Sequence, residues 1–179
     1  QPRHRQARLS RLWALTRVGA LDDSISIMKS LQEDFSADVA VDIEWARLLV
    51  LLGRYTEAVS VLEDVRAREP DNKQAATVLA STLHETGQFQ EAVGVWRTCL
   101  EHGQTSANVH SGLASSLDKL GHAADADSAF QRAIEVDPDS YLNRFAYARA
   151  LLARDDFQRA DALLQQVTAM APVVAPAHV

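Results

Sequence analysis

The chain has 179 residues, 47% of them hydrophobic, with five prolines and seven glycines, so it can bury a full domain core and holds few residues that break regular structure. No run approaches eighteen consecutive apolar residues, and the opening residues Gln1 to Arg5 lack the apolar core of a signal peptide, which argues against direct membrane insertion. The net charge of −6 is uneven: residues 1 to 20 carry five Arg and no acid, and the rest carry 13 basic against 24 acidic groups, a −11 body that would repel a phosphate backbone and excludes nucleic acid as the expected partner.

Along the chain one period governs everything. Leu15, Leu49, Leu83, Leu117 and Leu151 stand 34 residues apart, and Gly19, Gly53, Gly87 and Gly121 follow the first four of them by four. Ala46, Ala80, Ala114 and Ala148 keep the same step, as do Ala58, Ala92, Ala126 and Ala160. These columns divide the chain into units 5–38, 39–72, 73–106, 107–140 and 141–174, with 1–4 and 175–179 reading as remnants of neighbouring units in a single array spanning 1–179. Pro2 falls in the helix-stop column of a preceding unit, and His178 in the column of His110. An excised array would leave apolar end faces, so end-to-end self-association through Trp13 and Leu9 or Leu163 and Leu164 is an expectation.

Each unit predicts two helices. Asp38, Asn72, Ser106 and Ser140 are side-chain acceptors suited to capping the first helix, A, of the following unit. Apolar residues at helical spacing, such as Trp45, Leu48, Leu49 and Leu52, give helix A its buried face, and the glycine column ends it. Leu21, Tyr55, Phe89 and Phe157 are expected to pack the turn. The second helix, B, sets a small residue (Ala58, Ala92, Ala126, Ala160) against a large one four further on (Leu62, Trp96, Phe130, Leu164), and Pro70, Pro138 and Pro172 stand where it must stop. Gly94, Gly103 and Gly112 fall outside the helix-stop column, and Arg11, Leu12 and Ser24 make the first unit the least regular. The fold class is all-α, a stack of antiparallel helix hairpins.

With Glu91-Ala92 and Trp96, Asp125-Ala126 and Phe130, and Asp137-Pro138-Asp139, the sequence resembles the tetratricopeptide repeat family across essentially its whole length. It departs in carrying Leu for the Tyr of helix A, Ala for its Gly, and Gln104 for the third proline. The resemblance implies a right-handed α-solenoid whose A helices line a concave face that binds peptides or helices. The positions it assigns to that face include Arg47, then Gln74, Thr77, Ser81 and His84, then Asn108, Ser111, Ser115 and Asp118, and last Phe145 and Arg149. Its centre is small and hydrogen-bonding, with an arginine on each side, a surface suited to an extended partner segment whose carboxylates or polar groups reach Arg47 and Arg149. The family's clamp for C-terminal carboxylates is not reproduced by any unit, which disfavours chaperone tails as ligands. Trp13 falls in a column that faces the concave side in this family; it is either an exposed anchor or packed beneath a preceding unit.

Chemistry is poorly represented. Ser116 and Lys119 have a spacing that pairs nucleophile and base in some hydrolases, but no companion motif accompanies them and a solvated helix face accounts for both. His4, His84, His102, His110, His122 and His178 show no i, i+4 pair, so neither metal nor other cofactor is expected. Cys99, the single cysteine, excludes an internal disulfide and sits in a small core column with Val65, Ala133 and Val167. Arg3, Arg5, Arg8, Arg11 and Arg17 form either a solvated charge run or a landing patch for an acidic partner. Fifteen Arg against three Lys, with abundant Ala, is the bias of GC-rich bacterial genomes; cytoplasm and periplasm both remain open. The reading is a non-catalytic scaffold, not an enzyme, that binds a partner protein segment within a larger multi-repeat protein. The alternative is the substrate-presenting arm of a larger enzyme, such as a glycosyl- or sulfotransferase.

Overall fold

The computed structural model describes residues 2 to 170, and among them lie ten helices and no strand. They are α1 (Pro2–Arg17), α2 (Leu21–Asp34), α3 (Val39–Leu51), α4 (Tyr55–Arg68), α5 (Lys73–Glu85), α6 (Phe89–Glu101), α7 (Ala107–Lys119), α8 (Ala123–Val136), α9 (Tyr141–Ala153) and α10 (Phe157–Met170). Odd-numbered helices are the A helices of the five repeats and even-numbered ones the B helices. The chain packs as two compact units, Gln1–Gly87 with α1 to α5 and Gln88–Val179 with α6 to α10. The expected Pro172 stop, the residues 175–179 and His178 lie outside the described residues.

The A-to-B turns share one hydrogen-bond pattern. In the second repeat the N–H of Gly53 donates to the Val50 carbonyl (3.0 Å) and that of Arg54 to the Leu49 carbonyl (2.8 Å), which closes α3 on a left-handed residue. Gly53 has φ 73°, a region in which a Cβ crowds the adjoining carbonyl. The fifth repeat makes the same two bonds, from Asp155 to Leu152 and from Asp156 to Leu151, but with Asp155 held at φ 61°. Gly103, outside the glycine column, also ends a helix: it has φ 74° and donates to Leu100, replacing the stop that proline supplies in other repeats and Gln104 does not. α1 begins at Pro2, three residues before the periodic boundary, because a proline in the first turn needs no amide partner and is pre-set for helix.

Two of the four expected caps form. Asp38 accepts from the amides of Ala40 and Val41 (3.0 and 3.3 Å), and Asn72 from Ala75 (2.9 Å). Ser106 and Ser140 make no side-chain cap; at Ser106 the Val109 amide is satisfied instead by the Ser106 carbonyl at 3.0 Å, a tighter backbone turn.

In the first unit Leu9, Leu12, Met28, Leu31, Val41 and Leu48 form a buried cluster, with Phe35 and Trp45 against it. Ser24 occupies the small column fully buried, its hydroxyl donating to the Ala20 carbonyl at 2.9 Å, so the least regular hairpin still closes without an orphaned polar group. Arg11 is exposed. In the second unit Trp96 of α6 lies over Gly112 of α7, where a Cβ would come within 2.4 Å of the indole. Phe130 stacks on Tyr147 with ring centroids 5.0 Å apart. Phe157 does not pack its turn: it is the first residue of α10 and 61% exposed. Ser116 is buried, not on a solvated face, and donates to the Gly112 carbonyl; Lys119 is exposed.

An ion network ties the last two repeats together. Arg154 at the end of α9 reaches Asp118 of α7 (3.2 Å) and Asp127 of α8 (2.6 Å), and Arg159 of α10 reaches Asp127 at 2.8 Å and the Tyr147 hydroxyl. Burial pushes the Asp127 carboxyl up, and hydrogen bonds from Arg154 and Arg159 more than reverse this, leaving it below the usual carboxylate range.

Single substitutions should read these contacts separately. Asp155→Gly should stabilise by about 0.5–1 kcal/mol, because relief of the left-handed strain exceeds the added freedom of the unfolded chain. Gly94 and Gly112 should respond with opposite sign to alanine: Gly94 faces open space and should gain up to about 1 kcal/mol of helix propensity, whereas Gly112→Ala should lose about 1–3 kcal/mol by displacing the Trp96 ring. Urea midpoints measure both. Asp127→Asn should cost about 1–3 kcal/mol at pH 7 through loss of charge-assisted bonds. Since the folded Asp127 value is depressed, the wild-type advantage exists above the unfolded carboxylate value of about 3.9 and is lost as pH falls through the folded one. The gap between the two proteins should therefore shrink in melts as the pH is lowered below that unfolded value.

Candidate partner-binding surface

Side chains from three A helices of the first unit meet on one face. Glu44 of α3 is the centre: it is only 8% exposed, although carboxylates are rarely buried unless paired. The Trp13 indole N–H from α1 donates to Glu44 Oε2 at 2.8 Å, and Gln74 of α5 donates to Oε1 at 3.5 Å. Arg47, one turn along α3, sets its Nε 3.5 Å from Oε1. One short bond and two long ones hold the carboxylate, which lets a buried charge persist and fixes the ring that donates to it.

Trp13 is 58% exposed, with its indole N–H turned to Glu44. Its ring separates two clefts. One, of about 320 Å³, is lined by Leu12, Thr16, Arg17, Arg47 and Leu48 as well as Trp13 and Glu44. The other, of about 230 Å³, lies toward Gln6, Leu9, Ser10, Ala40 and Gln74. A further polar recess of about 420 Å³ is bordered by Arg5, Asp38, Glu69 and Asn72.

Arg47 and Gln74 thus belong to one cluster in the structure. Thr77 and Ser81 lie farther along α5, and their hydroxyls donate to the Lys73 and Thr77 carbonyls at 2.9 and 3.0 Å. Such back-bonding engages the hydroxyl proton, so these residues offer small walls and acceptor lone pairs rather than donors. His84 is half-buried at the end of the same helix. In the second unit Asn108 is exposed, Ser111 is half-buried, and Ser115 donates to the Ser111 carbonyl at 2.9 Å. Phe145, 43% exposed, and Arg149 stand open on α9. Asp118 is engaged by Arg154 instead of facing solvent, its side chain 11% exposed.

The arginine-rich start is divided. Arg5 pairs with Asp38, and Arg8 with Asp34 and Ser30, whereas Arg11 and Arg17 are exposed. The Arg3 side chain lies outside what is described. Leu9 is a core residue, which removes it from any end face, and Leu163 and Leu164 are half-buried. Cys99 is buried. Burial, and secondarily Arg132, lowers the pKa of His110 below the usual histidine value. Among the described residues no three His, Cys, Asp or Glu side chains gather as a metal site would require, and no helix is long and apolar enough to cross a membrane.

Glu44 is the residue the sequence pattern did not mark. Its column carries Ser10, Val78, Gly112 and Ala146 in the other repeats, and an acid among small and apolar residues is the signal that could have found it.

Comparison with known proteins agrees with the all-helical repeat fold. Over 126 residues the chain is 28% identical to the Vi polysaccharide export protein VexE of Salmonella typhi; the match covers 68% of this chain and 18% of that protein, so the chain spans under a fifth of its relative. Among solved structures, MamA 41-end from Desulfovibrio magneticus RS-1 superposes with a TM-score of 0.76 at 18% identity, covering 93% of this chain and 94% of that one. A thermophilic TPR protein of Thermus thermophilus superposes with a TM-score of 0.82 at 19% identity, over 95% and 93% of the two chains. At such identities these likenesses establish the fold. The sequence itself matches the tetratricopeptide repeat at residues 15–81, 49–116 and 117–178, and the chain belongs to the tetratricopeptide-repeat family.

Proposed function

We propose that this chain is a non-catalytic scaffold segment of a longer protein and that the A-helix faces of its units hold an extended segment of a partner protein. The observation that carries this reading is the exposed Trp13 between two clefts, fixed by a buried carboxylate. Exposed aromatic anchors beside arginine are the residues on which binding energy concentrates. Small, back-bonded Ser81 leaves room for a main chain to approach α5 in the first unit, and Ser115 does the same for α7 in the second. The hydroxyls of Ser81 and Ser115 donate to carbonyls of their own helices, which leaves their lone pairs as acceptors for a partner's main chain.

A second reading is favoured by the match to part of a polysaccharide export protein: the repeats would then be an arm that presents a saccharide to the larger protein or enzyme carrying them. The two readings predict different captured material.

The test is recovery of partners from cell extract by wild type and Ser81→Glu/Ser115→Glu. Surface changes of this kind alter stability by within about 0.5 kcal/mol each, so melting curves should nearly coincide. Partner recovery should fall at least tenfold, because a carboxylate left unpaired in an interface costs several kcal/mol. Recovery that is unchanged at unchanged melting temperature moves the site off the A-helix faces. Recovered material that survives protease and is removed by glycosidase favours the saccharide-presenting arm.

A further inference from the structure

We infer that the larger Trp13 cleft is a subsite for one apolar side chain followed directly by a carboxylate in the bound segment, an inference that rests on the A-helix binding reading. The cleft holds about 320 Å³, the lower end of the range for ligand pockets, so it suits a side chain rather than a whole small molecule. Its walls are Leu12, Leu48 and the face of Trp13, with which an aliphatic or aromatic side chain exchanges water for apolar contact.

Charge selects what stands beside that side chain. The cleft carries Arg17 and Arg47 against one carboxylate, Glu44. Glu44 already accepts the Trp13 N–H and faces Gln74 and Arg47, so its charge is largely answered. Arg17 is exposed and has no ion pair among the described residues. The sum is one net positive charge at the rim of an apolar pocket, with a guanidinium whose paired N–H groups match a carboxylate. A basic partner is disfavoured by the same arginines. A neutral one gains the pocket but leaves Arg17 without a partner. A saccharide would place hydroxyls against Leu12 and Leu48, which offer no hydrogen bonds, so an acidic peptide fits the lining better than an acidic glycan.

Trp13 also provides the readout. The chain has three tryptophans, so its ¹H–¹⁵N spectrum should contain three indole signals, that of Trp13 being assigned by its absence in Trp13→Phe. The probes are capped hexapeptides, Gly-Ser-Leu-Asp-Ser-Gly and its Leu-Asn and Leu-Lys counterparts, together with trigalacturonate. The Leu-Asp peptide should move the Trp13 signal saturably, with Kd near 1 mM as expected of one subsite. The Leu-Asn peptide should bind about tenfold more weakly, and the Leu-Lys peptide should have no effect. Arg17→Gln, whose side chain lies outside the core and leaves the melt unchanged, should erase the preference for Asp over Asn.

No saturable shift with the Leu-Asp peptide up to about 10 mM overturns the inference, as does an equal shift with Leu-Lys. A tighter response to trigalacturonate than to the peptide overturns it in favour of an acidic saccharide. Retention of the Asp preference in Arg17→Gln removes the assigned source of specificity and overturns it as well. If the probes fail at Trp13 while Ser81→Glu/Ser115→Glu still loses its partner, the subsite is wrong and the A-helix reading stands. If the probes succeed while that variant keeps its partner, the subsite stands and the broader reading fails.

Discussion

Two helices can lie no closer than their bulkiest facing side chains allow, and in this chain that distance is set by alanine. Ala46, Ala58 and Ala80 in the first unit, and Ala92, Ala114, Ala126, Ala148 and Ala160 in the second, are 0% exposed. With methyl groups at the crossings, backbones approach closely and the large residues four positions on, Leu62, Trp96 and Phe130, fill the adjoining layer. Close packing of this kind leaves little tolerance. Gly112 shows the limit: even one methyl group there meets the Trp96 ring, so at that crossing the sequence must go below alanine. The left-handed turns depend on the same constraint, because a hairpin whose helices touch must reverse within a few residues.

That scaffold was legible because it repeats. Each alanine, glycine and leucine column is a separate solution to the same local problem, and five presentations of one solution stand out from a background of unrelated residues. Positions where the solution changed were not legible in the same way. Asp155 holds the left-handed turn without being glycine, Gly103 ends α6 where other repeats use proline, and the first helix starts at Pro2 ahead of the period. Each satisfies the physical requirement of its column with a different residue. A column reading records the residue, not the requirement.

The candidate site was half legible for a related reason. Column position put Arg47, Gln74, Thr77, Ser81 and Ser115 on A helices, but it carries no information about which polar atoms are already engaged. Asp118 was expected to face a partner and is instead held by Arg154, thirty-six positions away, an interaction between neighbouring repeats that no single column records. The serine and threonine residues were expected to make a small, hydrogen-bonding centre; their hydroxyl protons are engaged by carbonyls of their own helices, a choice set by rotamer and helical geometry. Glu44 escaped because its meaning depends on Trp13 and Gln74 in the repeats on either side.

Fold and function therefore occupy different residues of the same helices. Buried columns must be alike for repeats to stack, so they can say little about any particular ligand. Open positions are free of that demand, and differences among them are where recognition can be encoded. Trp13 illustrates the division: Trp13, Arg47 and Ser81 hold equivalent positions in successive repeats, yet one is an aromatic partition, one a cation and one a small acceptor. A repeated frame with unlike residues at one open position presents a row of distinct chemical environments at fixed helical spacing. Glu44 adds the element that such a row needs to be specific. By bonding to Trp13 across the helix gap it holds a large aromatic ring in place before any partner arrives, which reduces the conformational entropy lost on binding. The same bond spans from the first repeat to the second, so the side chain that orders the cleft also joins the helices that form it.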